Sequence, residues 1–184
     1  MRIIGGEFGG RRFKFQVPSN TRPTSDRVKE SMFNVLENLI DFEDLFVLDL
    51  FAGTGALGLE SMSRGAENVT FVDKDRKSFE IIKFVTNELR INKNSFEFYS
   101  TDVIKFLKNY KSNIKFDLVF ADPPYDKFDY NLLIDTISES AILNAQGIFV
   151  VEYRNGMVIQ QSQALELLSQ KEFGDTNYNI YKFL

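Results

Sequence analysis

The chain has 184 residues, a net charge of −4, and 43% hydrophobic and 26% charged residues. This balance is typical of a globular protein and is enough for one sizeable domain. Cysteine and histidine are both absent, which excludes disulfides, zinc–thiolate sites, Ser-His-Asp triads and histidine bases, and no motif supports a metal site built from carboxylates.

The first thirty residues differ in charge from the rest of the chain. They carry seven basic and three acidic side chains, whereas the remainder is acidic. A basic segment of this kind can bind phosphates, although a solvated surface of mixed charge explains the same pattern equally well. There is no signal-peptide core, and no apolar run reaches the roughly 20 residues that cross a bilayer. We therefore expect a cytoplasmic protein.

Residues 2–17 are expected to form a small β-hairpin. Gly9-Gly10 supplies a turn, and residues 12–17 alternate polar and apolar side chains, as in a strand with one wet face. After a loop bracketed by prolines, residues with N-cap chemistry precede apolar residues at helical spacing. This pattern predicts a helix from about Asp26 to Ile40.

From residue 45 onward, short apolar strands alternate with helical segments. Strands are predicted near 45–50, 69–72, 96–99, 116–121, 147–152, 172–173 and 178–183. Helices are predicted near 57–62, 76–90, 103–110, 130–140 and 157–169. The alternation predicts an α/β fold, with a mostly parallel seven-stranded sheet, helices on both faces and an antiparallel last strand.

A glycine loop follows the first predicted strand. Gly53-Thr54-Gly55-Ala56-Leu57-Gly58 opens a helix, and Asp73 lies twenty positions after Gly53. In this dinucleotide-type pattern the glycines let the main chain approach a ligand, and the acid binds ribose hydroxyls. Asp49 would repel a pyrophosphate but suits the ammonium and sulfonium of S-adenosyl-L-methionine, and the chain is short for a dehydrogenase. We therefore expect an S-adenosyl-L-methionine site, formed by Asp49, Phe51, Gly53, Thr54, Gly55, Ala56, Asp73 and Asp102.

Asp102 has two compatible interpretations. It follows the third predicted strand, where its carboxylate could accept a hydrogen bond from an adenine amine. It could equally cap the next helix.

Asp122-Pro123-Pro124-Tyr125 follows the fourth predicted strand, at the sheet edge where open α/β proteins bind ligands. An acid, a rigid proline pair and an aromatic ring suit the binding of a planar base whose exocyclic amine reacts. A tight turn with a packed tyrosine is the competing interpretation, but it does not require this residue order. The run predicts methylation of an amino group on a nucleobase, with these four residues as the catalytic ones.

These motifs, in this order and spacing, resemble the class I S-adenosylmethionine-dependent methyltransferases. More narrowly, the chain resembles the RsmD family of 16S ribosomal RNA guanine-N2 methyltransferases. The glycine loop at 51–60 and the Asp-Pro-Pro-Tyr run are common to many methyltransferases, whereas residues 21–34, TRPTSDRVKESMFN, are similar to this family's most distinctive stretch. Residues 2–6 and 10–12 resemble its opening, so the resemblance covers essentially the whole chain.

The resemblance implies a Rossmann-like methyltransferase that methylates the N2 amine of one guanine in 16S ribosomal RNA of the small subunit. We expect a monomer with one domain over 1–184, made of a β-hairpin extension at 1–17, a loop and helix at 18–44 and a catalytic core at 45–184. The residues expected to contact RNA are Arg11, Arg12, Lys14, Arg22, Thr24 and Arg27. For residues 22–26, contact with the cofactor, contact with RNA and simple helix capping remain open.

The mechanism expected for such an enzyme makes the amine more nucleophilic. Asp122 and the Pro123 carbonyl would each accept an N–H from the guanine amine, and Asp122 would stabilise the positive charge that develops on nitrogen. Tyr125 would stack on the extruded base.

Two alternative functions stay open. An amino-methyltransferase acting on adenine N6 of DNA or RNA, or on protein glutamine, would carry the same Asp-Pro-Pro-Tyr run. A non-catalytic RNA-binding assembly factor could keep the fold, but would be expected to have lost the glycine loop or Asp122, and both are present.

Overall fold

The computed structural model describes residues 1–15, 25–124 and 128–184. Within these residues seven strands form one sheet: β1 (Phe46–Leu50), β2 (Asn68–Asp73), β3 (Phe96–Ser100), β4 (Phe116–Ala121), β5 (Leu143–Arg154), β6 (Leu165–Phe173) and β7 (Thr176–Phe183). The helices are α1 (Asp26–Leu36), α2 (Ala56–Ser63), α3 (Arg76–Glu88), α4 (Val103–Asn109) and α5 (Tyr130–Glu139), and a short 3-10 turn covers Lys93–Ser95. In the described part of the chain, no helix is long and apolar enough to cross a membrane.

The sheet has the strand order β3-β2-β1-β4-β5-β7-β6. Strands β1 to β5 pair in parallel, and β7 runs antiparallel to both β5 and β6. The predicted sheet, mostly parallel with an antiparallel last strand, is therefore confirmed. The order of winding reverses between β1 and β4, and such a reversal opens a crevice at the carboxyl ends of the two strands.

Two hydrophobic cores lie on opposite faces of this sheet. Along β4, Leu118 and Phe120 pack into the core that also contains residues of α1, α2 and α3. Val119 and Ala121 pack into the core with α4 and α5. This alternation is the period of two that a strand buried on both faces requires, and it confirms helices on both faces.

Polar side chains fix where several helices begin. Ser25 Oγ accepts the N–H of Val28 at 3.2 Å, which starts α1 one residue later. Asp75 and Asp129 cap α3 and α5 in the same way. Because these caps are local, the sequence could predict these three helices to within a few residues.

The helix predicted at 157–169 is wrong. Residues 157–164 form no helix, and the rest of the segment belongs to β6. Its glutamine, glutamate and leucine residues favour a helix in isolation. The edge of β7, however, offers main-chain groups that need partners, and β6 pairs with it from Leu165 opposite Phe183 to Phe173 opposite Thr176. Tertiary pairing thus overrides local propensity.

Residues 1–15 form an N-terminal arm folded back on itself. An isolated antiparallel bridge joins Arg2 to Arg12, and the Ile3 N–H donates to the Arg11 carbonyl at 3.0 Å. The pairing follows the predicted hairpin as far as Phe13, whose N–H donates to the Met1 carbonyl at 2.9 Å, but no regular strand forms in residues 12–15. Residues 16 and 17 lie outside the described residues. Ile3 is fully buried in the core that α1 and α2 share, so the arm packs against the body of the protein.

Candidate active site

The carboxyl ends of β1 and β4 bring the two predicted motifs together. In the parallel pairing of these strands, Leu50 lies opposite Ala121. The glycine loop begins directly after Leu50, and the Asp122-Pro123-Pro124 run begins directly after Ala121. Beyond the strands, the Phe51 and Phe128 rings meet edge to face with centroids 4.9 Å apart. The two loops therefore line one crevice.

The glycine loop has a left-handed main chain at three positions. Phe51, Gly53 and Gly55 have φ values of 60°, 52° and 72°. A Cβ on Gly55 would lie 2.7 Å from the side chain of Ile82, so both conformation and space favour glycine there. At the start of α2, Thr54 and Gly55 are buried and Ala56 is half-buried.

Asp73, the last residue of β2, holds this loop in place. One carboxylate oxygen accepts the N–H of Gly53 at 2.7 Å, and the other accepts the N–H of Asp75 at 2.8 Å. The carboxylate is half-buried at the edge of the crevice. This position is compatible with the predicted contact to ribose hydroxyls, because each oxygen can accept more than one hydrogen bond.

Asp49 lies beneath the loop. Its side chain is only 2% exposed, and Oδ2 accepts the N–H of Gly58 at 2.9 Å. Burial raises the pKa of this carboxyl to about 8, with a further contribution from the charge of Asp73, while the Gly58 hydrogen bond opposes the rise. A nearby cationic ligand would favour the charged form of the carboxyl. Its predicted contact with the cofactor stays a prediction.

Asp102 caps a helix. Its Oδ1 accepts the N–H of Lys105 at 3.0 Å at the start of α4. The capping interpretation is therefore confirmed. Contact with an adenine amine remains a prediction, and it is compatible with capping because Asp102 is exposed.

The residues of the Asp-Pro-Pro-Tyr run differ in exposure. Asp122 is half-buried, Pro123 is buried and Pro124 is exposed. Tyr125 lies outside the described residues, so its predicted stacking role stays a prediction. The buried Pro123 fixes the direction in which the chain leaves β4, because proline restricts its own φ.

Two further residues at this crevice were not predicted as site residues. Val151 lies opposite Ala121, so Glu152 is the neighbour in β5 of the catalytic candidate Asp122. Glu152 is 4% exposed and Tyr130 is also 4% exposed. Burial, together with the charges of Asp122 and Glu152, raises the pKa of the Tyr130 hydroxyl well above its ordinary value. The signal for Glu152 was an acid that ends the fifth apolar strand at the edge shared with Asp122.

The predicted RNA-contacting residues form two groups in the structure. Arg11, Arg12 and Lys14 are exposed on the N-terminal arm. Arg27 is exposed at the start of α1, with its guanidinium 6.0 Å from the centre of the Phe173 ring. Arg22 and Thr24 lie outside the described residues, so their roles stay open.

Known proteins resemble this chain along its whole length. The family model for Conserved hypothetical protein 95 matches residues 1–182. Ribosomal RNA small subunit methyltransferase D of Haemophilus influenzae is 34% identical over 99% of this chain and 93% of that protein. The Escherichia coli protein of the same name is 31% identical over 99% of this chain and 89% of that protein. The solved structure of Escherichia coli yhhF, a proposed methyltransferase, has a TM-score of 0.85 and 30% identity, covering 100% of this chain and 97% of that one.

The sheet order, the glycine loop after β1 and the Asp-Pro-Pro run after β4 together define a class I S-adenosylmethionine-dependent methyltransferase. The chain belongs to the Conserved hypothetical protein 95 family, which is the RsmD family. The family resemblance seen in the sequence is thereby confirmed.

Proposed function

We propose that this protein transfers a methyl group from S-adenosyl-L-methionine to the exocyclic N2 amine of a guanine in 16S ribosomal RNA of the small subunit. The observation that carries the proposal is the pairing of Leu50 with Ala121. It puts the glycine loop beside Asp122, so a methyl donor held by one loop lies next to a base held by the other.

The roles proposed for the residues follow from their chemistry. S-adenosyl-L-methionine, when bound, supplies a methyl group made electrophilic by its sulfonium. Asp122 and the Pro123 carbonyl accept the two N–H groups of the guanine amine, which frees the nitrogen lone pair for attack. Asp122 then stabilises the positive charge on nitrogen as it develops and accepts the proton that the methylated amine loses. Tyr125 stacks on the base, and a base–aromatic stack contributes about 1–3 kcal/mol.

The cofactor roles proposed for the glycine loop use main-chain geometry and nearby acids. Phe51, Gly53, Thr54, Gly55 and Ala56 form the wall against which the cofactor lies. Asp73 binds the ribose hydroxyls, and Asp102 binds the adenine amine. Asp49 lies beneath the loop, where a cationic cofactor would favour its ionised form.

Two observations support ribosomal RNA as the substrate: the names of two relatives and the exposed basic residues of the N-terminal arm. Two relatives that align over nearly the whole chain are named as methyltransferases of small-subunit ribosomal RNA. The exposed basic residues of the arm suit phosphate contacts. A substrate within the small ribosomal subunit implies a cytoplasmic location. We also propose that the protein is a monomer.

We propose a single methyltransferase domain, with residues 1–17 as its N-terminal extension, 18–44 as a loop and helix, and 45–184 as the catalytic core. The burial of Ile3 against α1 and α2 supports treating the extension as part of the same domain.

The proposal is tested by removing the Asp122 carboxylate. Asp122→Ala should lower methyl transfer to small-subunit RNA by about 10²–10⁴-fold, the range for loss of an acid–base group. Binding of S-adenosylhomocysteine should change little. Asp135→Ala, which removes an exposed carboxylate on α5, is the matched control. Near-normal turnover by Asp122→Ala would contradict the proposed role.

A further inference from the structure

Glu60 lies in the middle of α2 and is fully buried. Its two carboxylate oxygens accept main-chain hydrogen bonds from the N-terminal arm. Oε2 accepts the N–H of Ile4 and Oε1 accepts the N–H of Gly5, each at 2.8 Å. A helix that begins at the glycine loop is thus bonded directly to the arm.

Two cations surround the same carboxylate. Lys29 Nζ lies 3.0 Å from Oε2, and Arg64 Nη2 lies 3.0 Å from Oε1. Lys29 also donates to the carbonyl of Arg2. Burial alone would raise the pKa of Glu60, but the charge of Lys29 and the two main-chain hydrogen bonds outweigh it and bring the pKa below its ordinary value. Glu60 is therefore ionised.

A buried ionic cluster is a poor device for stability alone, because an apolar cluster of similar volume often stabilises a fold as well or better. The specific effect of this cluster is to fix the orientation of the N-terminal arm. Its hydrogen bonds fix the position of the arm's main chain, through Arg2, Ile4 and Gly5.

Ser63, one helical turn further along α2, fastens the next part of the arm. Its Oγ donates to the Gly5 carbonyl at 2.5 Å and accepts the N–H of Phe8 at 2.9 Å. Its carbonyl accepts the N–H of Glu7 at 2.6 Å. Gly6 lies between these contacts with a φ of 70°, and a Cβ there would lie 1.7 Å from the Ser63 carbonyl oxygen. The arm therefore fits against α2 only with glycine at this position.

The returning half of the arm carries exposed basic side chains. Arg12 is bridged to Arg2, and Arg11, Arg12 and Lys14 are all exposed. The main chain of Arg11 and Arg12 pairs with residues 2 and 3, next to the part of the arm that α2 holds. A surface ordered before binding loses less entropy when a partner binds than a flexible basic tail would lose.

We propose that Glu60 and Ser63 are positioning residues, which hold the N-terminal arm as a preformed surface for RNA phosphates in a fixed position relative to the cofactor loop. This inference rests on the proposed function, because the partner is the RNA that the enzyme methylates. Glu60 and Ser63 touch neither RNA nor cofactor, and they act through the arm.

The test compares two alanine substitutions at glycines of positive φ. Gly6→Ala introduces the clash with Ser63 and should release the arm. Gly10→Ala imposes similar main-chain strain at a φ of 84°, but nothing lies within 4 Å of its Cβ, so it is the control. For each variant, hydrogen exchange at the amides of Ile4 and Gly5 reports docking of the arm. Calorimetry reports S-adenosylhomocysteine binding, and methyl transfer to small-subunit RNA gives KM and kcat.

Gly6→Ala should lose amide protection and raise the KM for RNA by about tenfold, with cofactor affinity and kcat little changed. Gly10→Ala should keep the wild-type KM. If Gly6→Ala fails to fold, the second variant is Ser63→Ala, which removes only the hydroxyl. It is also expected to raise the KM for RNA. An unchanged KM despite lost protection would overturn the inference, as would full protection in Gly6→Ala. A wild-type enzyme that transfers no methyl group to RNA would instead overturn the proposed function, and this inference with it.

Discussion

The carboxylate of Asp73 accepts a 2.7 Å hydrogen bond from the main-chain N–H of Gly53, twenty positions earlier in the chain. The bond ties the carboxyl end of β2 to the loop that follows β1. Asp73 therefore fixes the conformation of the glycine loop through this bond. We propose that it also contacts the ribose of the cofactor.

Asp73→Ala should weaken cofactor binding more than Asp75→Ala does. It removes the loop bond and the proposed ribose acceptor, and hydrogen bonds to charged groups contribute about 1.5–3 kcal/mol. We expect the Kd for S-adenosylhomocysteine to rise by roughly 10–100-fold in calorimetry. Asp75→Ala, which removes only the cap of α3, is the control. Equal affinities for the two variants would count against this role.

Asp49→Asn should flatten the dependence of stability on pH. The folded-state pKa of Asp49, about 8, lies above its ordinary value of 3.8, so the folded protein holds this proton more tightly than the unfolded chain. The stability that the proton contributes is complete below the ordinary pKa and is lost as the pH rises toward 8. Denaturation series between pH 4 and 8 should show the free energy of unfolding falling more steeply in the wild type than in Asp49→Asn. Parallel profiles would show that the carboxyl ionises normally.

Tyr130→Phe should raise the stability of the protein while lowering its activity. The buried Tyr130 hydroxyl has no hydrogen-bond partner in the described part of the chain, so its removal should raise the free energy of unfolding by about 1 kcal/mol. The kcat for methyl transfer should fall, because the hydroxyl feels the charges of Asp122 and Glu152 at the proposed base site.

Tyr181→Phe is the matched control for this prediction. It deletes a hydroxyl that accepts a 2.7 Å hydrogen bond from Asn179, so it should lower stability and leave kcat unchanged. An unchanged kcat in Tyr130→Phe would remove Tyr130 from the site, and a loss of stability would show that its hydroxyl has a hydrogen-bond partner.

Arg12→Glu should weaken RNA binding in a salt-dependent manner. Arg12 is exposed on the arm. Loss of one phosphate contact reduces the slope of log affinity against log salt by about 0.7–0.9, and the negative charge of the new Glu should reduce it further. Lys111→Glu makes the same charge change at an exposed position outside the arm and should leave the slope unchanged. Equal slopes for the two variants would exclude Arg12 from the RNA interface. Deletion of the arm is a poorer test, because it removes the buried Ile3 and the main-chain groups that bond to Lys29 and Glu60.

The sequence could predict the parts of the site that depend on local geometry. The left-handed loop at Gly53 and Gly55 and the cap at Asp102 follow from residue types within one turn of the main chain. The order of strand and helix then placed the glycine loop and Asp122 at one sheet edge, because parallel strands bring their carboxyl ends together.

Features that depend on distant contacts were not predictable in this way. In the sequence, Glu60 looks like any other polar residue of a helix. Its role depends on its hydrogen bond with the N–H of Gly5, which lies 55 positions away. Glu152 ends the fifth apolar strand of the sequence, which is a local signal, but the register of β4 and β5 decides that it lies beside Asp122. The segment around Leu165 has helix-forming residues, and only the edge of β7 makes it a strand.

The most direct test of the account identifies the methylated nucleoside. Labelled S-adenosyl-L-methionine is supplied with small ribosomal subunits, naked ribosomal RNA and DNA in parallel, and the products are digested to nucleosides. We predict that the label appears in N2-methylguanosine from ribosomal RNA and disappears with Asp122→Ala. Label in N6-methyladenine or in protein, or no transfer to any of the three substrates, would contradict the account.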